Sequence, residues 1–97
     1  MLKQYILEDS EDIFSQYALA LEYVKGENGE GAISLLAGII QYHPDYLAAY
    51  YQLGKLYEQR DSAKARKIYE SGMAIAQRQK DFKTLNELQA ALDSMEE

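Results

Sequence analysis

The sequence predicts an all-α chain built from tandem helical hairpins, and three observations carry that prediction. Leu19, Ala20 and Tyr23 recur thirty-four positions on as Leu53, Gly54 and Tyr57. Each trio leads into a second apolar stretch, Ala32, Leu36 and Ile39 in one case and Ala65, Tyr69 and Gly72 in the other. A period of this length marks one helix–turn–helix unit used more than once, because a lone hairpin cannot bury its apolar side. The third observation is composition: one Pro, few β-branched residues, and abundant Leu, Ala, Glu, Lys and Gln, all strong helix formers. With 97 residues there is room for one compact domain and little more.

Residues 1–10 read as an N-terminal arm whose Leu2, Tyr5, Ile6 and Leu7 are apolar enough to pack on something. Asp9 or Ser10 is expected to cap the first helix, with Glu11 and Asp12 in its first turn, where the positive end of the helix dipole favours carboxylates. That helix is predicted over 11–25, with Gln16, Leu19, Ala20 and Tyr23 on one side and Phe14, Tyr17, Leu21 and Val24 as a second stripe. Gly26, Asn28 and Gly29 break it. The second helix is predicted over 30–42, burying Ala32, Ile33, Leu36, Ile39 and Ile40, and stops at His43-Pro44-Asp45 because the residue before Pro avoids helical dihedrals.

The third helix is predicted over 46–59, with Tyr50, Leu53, Gly54 and Tyr57 repeating the first pattern. Asp61 and Ser62 make a short turn and cap a fourth helix over 63–79. A fifth, over 81–95, places Phe82, Leu85, Leu88, Leu92 and Met95 on one side. Its other side, with Lys83, Asn86, Glu87, Ala90 and Asp93, is mostly polar, as the end of a repeat stack must be.

This pattern resembles the tetratricopeptide repeat, whose thirty-four-residue unit has an aromatic-x2-Leu-Gly-x2-Tyr first helix. The second unit, about 47–80, matches at Tyr50, Leu53, Gly54, Tyr57, Ala65, Tyr69 and Gly72. The first, about 13–46, matches at Leu19, Tyr23, Ala32, Leu36 and Pro44, but Gln16 stands where the family prefers a large apolar residue. Ala20 replaces Gly, and Ile39 replaces a small residue. The resemblance implies a right-handed superhelical stack of antiparallel helix pairs, here five helices, with residues 11–97 as the domain and 81–95 as its capping helix.

The resemblance also implies a protein–protein interaction module that takes a peptide or partner helix in a concave groove lined by the first helix of each unit. The lining stripes would be Phe14, Tyr17, Leu21 and Val24, then Ala48, Tyr51, Lys55 and Glu58, then Lys83, Asn86 and Ala90. From these, Tyr17, Leu21, Tyr51, Lys55, Lys83 and Asn86 are the candidate partner-binding residues, since aromatic anchors beside charged groups are the usual makings of a binding hot spot. Alternatively the arm covers Phe14, Tyr17 and Leu21, and that stripe is core. In the co-chaperone subgroup a carboxylate is gripped at positions that fall here on Tyr17, Leu21, Gln52, Lys83 and Glu87, of which only Lys83 fits. The alternative function is a self-associating assembly unit, a homodimer among the outcomes. A second copy would cover the apolar stripe, and the basic Lys64, Arg66 and Lys67 would suit the acidic first half in a head-to-tail arrangement.

Other classes of chemistry find no support. The chain has no Cys, and its one His, His43, precedes Pro44 in a turn, so there is no nucleophile–base pair and no transition-metal cluster. Glu8, Asp9, Glu11 and Asp12 lack the spacing and central Gly of a Ca²⁺ loop. Gly26, Gly29 and Gly31 make neither a phosphate loop nor a dinucleotide fingerprint. The expectation is therefore a non-enzyme without cofactor or metal. Net charge is −6, all of it from residues 1–54, where two cations face eight acids, a poor balance for nucleic acid. No apolar run approaches the ~20 residues a membrane span needs, and Met1–Ile6 is unlike a signal peptide, so a cytoplasmic protein is expected.

Overall fold

The computed structural model describes residues 12–96, and these are helical with short turns between helices. The helices are α1 (Ile13–Lys25), α2 (Gly29–Tyr42), α3 (Leu47–Glu58), α4 (Ser62–Gln79) and α5 (Phe82–Met95). Asp9, Ser10 and Glu11, expected at the start of the first helix, lie outside the described residues. Asp12 stands just before α1 instead of inside it, and its side chain makes no cap hydrogen bond.

The other starts follow local chemistry. Asn28, Asp61 and Asp81 each accept a hydrogen bond from the backbone N–H three residues on, at Gly31, Lys64 and Thr84. Each satisfies one of the orphan donors of a helix N-terminus. The ends of α1 and α4 are alike in a way the sequence did not suggest. Asn28 N–H donates to the Tyr23 carbonyl and Glu27 N–H to that of Val24. Asp81 N–H donates to the Ala76 carbonyl and Lys80 N–H to that of Gln77. Both are paired 6→1 and 5→2 closures with a left-handed residue at the turn, a place usually held by Gly. Here Glu27 (φ 62°) and Lys80 (φ 61°) hold it. Gly26, expected to break the helix, keeps a negative φ of −84° one position earlier.

The chain divides into two compact units, one ending at Ala49 and the other beginning at Tyr50. In the first, α1 packs on α2. Among the described residues, Gln16, Ala20, Ala32, Leu36, Ile39, Leu47 and Ala49 are its buried side chains. Gly31 belongs to this packing, because a Cβ there would meet the Tyr23 ring at 2.9 Å. Gln16 occupies a core position despite its amide. Leu19 departs from expectation: it is 44% exposed, whereas its repeat counterpart Leu53 is 2% exposed. At 100° per residue the buried arc of α1 centres on Gln16 and Ala20, and Leu19 falls beyond its edge.

In the second unit α4 packs on α5, and Tyr69, Leu88, Ala91 and Leu92 form a buried cluster flanked by Tyr51, Met73 and Met95. Two glycines let the helices meet. A Cβ on Gly54 would overlap the Tyr69 ring, and one on Gly72 would come within 2.9 Å of Tyr50 Cβ and 3.0 Å of Leu88 Cδ1. Phe82, expected on the inward side of α5, is exposed, and Ala91 is buried in the core. Arg66 on α4 pairs with Glu96 just past the end of α5.

Candidate partner-binding surface

The six candidate residues fall on three helices, two to each, spaced one turn apart. On α1, Tyr17 and Leu21 are both half-buried. The Tyr17 ring meets that of Tyr46 edge-on, with centroids 5.5 Å apart and planes at 65°, an arrangement favoured by the ring quadrupoles. Burial raises the Tyr46 phenol above its usual pKa. Tyr17 is thus part scaffold and part surface, its ring held in one orientation by the turn that follows α2. Phe14, one turn earlier in the same stripe, is 76% exposed.

On α3, Tyr51 is half-buried and tilted against Tyr69, with ring centroids 6.5 Å apart. Lys55 lies one turn on, its side chain 50% exposed, and its ammonium stands 4.0 Å from Glu58 Oε2. The same carboxylate oxygen accepts a short hydrogen bond from the buried Tyr69 hydroxyl. Burial first, then the bond to Glu58 and that group's negative charge, push the Tyr69 phenol far above its ordinary range. Glu58 therefore lies between an interior phenol and a surface ammonium, and Lys55 is a half-exposed cation in a loose ion pair, of the kind that contributes little to stability.

On α5, Lys83 and Asn86 are exposed beside exposed Glu87 and Ala90. The start of this helix is pinned by Asp81, whose two carboxylate oxygens accept from the Thr84 backbone N–H at 3.1 Å and the Thr84 hydroxyl at 2.8 Å. The hydroxyl bond chiefly, then the backbone one, hold the Asp81 carboxyl below its ordinary pKa. Asn86 supplies both a donor and an acceptor, and Lys83 a mobile charge, on a helix fixed at its first turn.

The Glu58–Tyr69 bond was not foreseen. Tyr69 reads from the sequence as a packing residue and Glu58 as the last member of a lining stripe, and no spacing rule joins residues on opposite sides of a turn. The one clue is chemical: a buried Tyr usually finds a partner for its hydroxyl. Among the described residues there is no group of three or more His, Asp and Glu side chains able to hold a metal ion. No described helix is long and apolar enough to cross a membrane.

Among solved structures, the chain is similar to a tetratricopeptide repeat domain protein from Salinibacter ruber determined by solution NMR. The two are 41% identical over 92% of this chain and 91% of that one, with a TM-score of 0.83. A crystal structure of a tetratricopeptide repeat domain protein from Salinibacter ruber is 40% identical over 88% and 96% of the two chains, also at 0.83. A solution structure of a protein from Bordetella parapertussis is 31% identical over 89% and 76%, at 0.78. No family model and no curated protein matches the chain.

Proposed function

The chain belongs to the tetratricopeptide repeat family, a fold of protein-interaction modules, and from that premise we propose that it takes a peptide or a partner helix on the first helices of its hairpins. This reading takes 13–46 and 47–80 as the two repeats and 81–95 as the cap. It assigns Tyr17 and Leu21 on α1, Tyr51 and Lys55 on α3, and Lys83 and Asn86 on α5 to the partner. The observation that carries it is the α3 pair. A half-buried aromatic is braced against the core one turn from a cation that Glu58 holds at only 4.0 Å. A ring so braced contributes area at low entropic cost, and a nearby charge sets register and partner choice. The role is binding, without catalysis of its own, in the cytoplasm.

Titrating a peptide library into ¹⁵N-labelled protein tests the reading. Shifts should cluster at Tyr51, Lys55 and their neighbours, and Lys55→Glu should abolish them while leaving the fold's spectrum intact. Shifts confined to other helices would overturn it.

The second reading, self-association, draws on one feature: Phe14, an aromatic side chain left 76% exposed on α1. Sedimentation equilibrium distinguishes the two, since a mass independent of concentration into the millimolar range rejects self-association.

A further inference from the structure

We propose that Asn28 is a modification site, where the chain converts its own asparagine to aspartate and isoaspartate through attack by the Gly29 nitrogen. The reaction needs a carboxamide and, next along the backbone, a nitrogen that no side chain crowds; Asn28 and Gly29 supply the pair. Asn28 is exposed in the turn between α1 and α2. Gly29 is the first residue of α2, so its N–H has no acceptor within the helix. The Asn28 side chain is held through Oδ1, which accepts from the Gly31 N–H at 3.1 Å. Its nitrogen, the leaving group, is uncovered on the Gly31 side, where a Cβ would stand 2.7 Å from it. The chain's other asparagine, Asn86, offers a contrast. It lies inside α5 and is followed by Glu87, whose N–H belongs to the helical hydrogen-bond ladder.

The Gly29 nitrogen attacks Cγ of Asn28. A bond forms between them, the Cγ–Nδ2 bond breaks, and ammonia leaves with the proton that Gly29 carried. Water then opens the resulting succinimide ring and is the only co-reactant. Addition at Cγ gives aspartate, and addition at the backbone carbonyl carbon gives isoaspartate, whose main chain runs through the former side chain. Ring closure releases both the Gly31 cap bond and the bond from the Ala32 N–H to the Asn28 carbonyl, 3.1 Å long. Two hydrogen bonds of ordinary net strength should make the folded chain roughly thirtyfold slower to react than the unfolded one. The products differ in what they do to the fold. Aspartate keeps a capping oxygen and adds a charge that the helix dipole favours. It also makes this cap like those of α4 and α5, which are Asp61 and Asp81. Isoaspartate inserts a methylene into the main chain between the Tyr23–Asn28 closure and α2, and takes the carbonyl that Ala32 uses out of the backbone.

Peptide mapping of the full chain after incubation at mildly alkaline pH tests the proposal, with a urea-unfolded sample beside it. The peptide holding residue 28 should gain about 1 Da, the difference between a carboxamide and a carboxyl group, in two isomers separable by chromatography. Ammonia should appear in matching amount, and the peptide holding Asn86 should stay unchanged. Gly29→Ala should slow the conversion severalfold, because a Cβ obstructs ring closure; the unfolded comparison reads this whether or not the variant folds. Asn28→Asp should melt no lower than the parent chain, and the purified isoaspartyl fraction should melt lower than both. An intact Asn28 in folded chain, under conditions where the unfolded chain reacts, would overturn the proposal by showing that the cap shields the site. Equal loss at Asn86, an unchanged rate in Gly29→Ala or a product that is aspartate alone would also overturn it, since each points to direct hydrolysis without a ring. An isoaspartyl fraction that melts like the parent would overturn the structural consequence.

Discussion

Gly54 and Tyr69 show how narrowly one residue can be specified. The backbone of α3 comes so close to the Tyr69 ring that a methyl group at Gly54 has nowhere to go. Gly54→Ala should therefore destabilise the second unit by about 1–3 kcal/mol, the usual cost of overpacking, read from urea denaturation at constant m-value. The hydroxyl of the same ring makes a separate contribution. In Tyr69→Phe the Glu58 carboxylate loses its donor but can regain water at the surface, so the loss should be about 0.5–1.5 kcal/mol. The pH dependence has a definite sign. A phenol whose pKa is raised on folding stabilises fully below its unfolded pKa of about 10, and that contribution drains away as pH rises above it. Wild-type stability should fall above about pH 10, and the fall should be shallower in Tyr69→Phe. Asp81 behaves in the opposite sense. Its lowered pKa makes it stabilising above the ordinary carboxylate range, and this is lost as pH falls below it.

Among the helical elements, the closures after α1 and α4 are where the chain departs from good local practice. Each places a long side chain in a left-handed conformation that costs an L-residue roughly 1 kcal/mol. Lys80→Gly, and likewise Glu27→Gly, should raise stability by about 0.5–1 kcal/mol, since the same closure forms without the Cβ penalty. Thermal melts would show it, and a decrease in Tm would mean that these side chains do something the backbone geometry conceals. Helix boundaries, by contrast, were legible to within one or two residues. The sequence marks Asp61 as a cap and Pro44 as a stop, whereas it marks Asn28 only as a breaker and Asp81 as the first residue of its helix, although both prove to be caps. What could not be read was which residue would carry the positive φ. Gly26, Asn28 and Gly29 read only as breakers; the hydrogen-bond closure is set by where the Tyr23 and Val24 carbonyls lie, and that selects Glu27. Leu19 was misplaced for a related reason. Periodicity marks a residue as apolar, but burial depends on whether something lies opposite.

At the scale of the whole molecule, each unit is anchored by its own interior. Leu36 in the first and Leu88 in the second are completely enclosed. Truncating either to Ala should cost about 2–5 kcal/mol, depending on how far the site collapses, measured by denaturation with probes local to each unit. The repeat architecture was readable because a thirty-four-residue period constrains many positions at once. The candidate surface was readable only as three pairs of residues, because a binding face is defined by what is left uncovered. The glycine at 54 also has a spectroscopic consequence. Its α-carbon approaches the face of the Tyr69 ring, so its α-protons should resonate upfield of the usual glycine position. In the edge-on pair of Tyr17 and Tyr46, the ring that points its edge at the other's face has those edge protons shielded in the same manner. Nature has thus placed one unlabelled beacon in each half of the chain, and a single proton spectrum recorded through a melt would reveal whether the halves dissolve together or in turn.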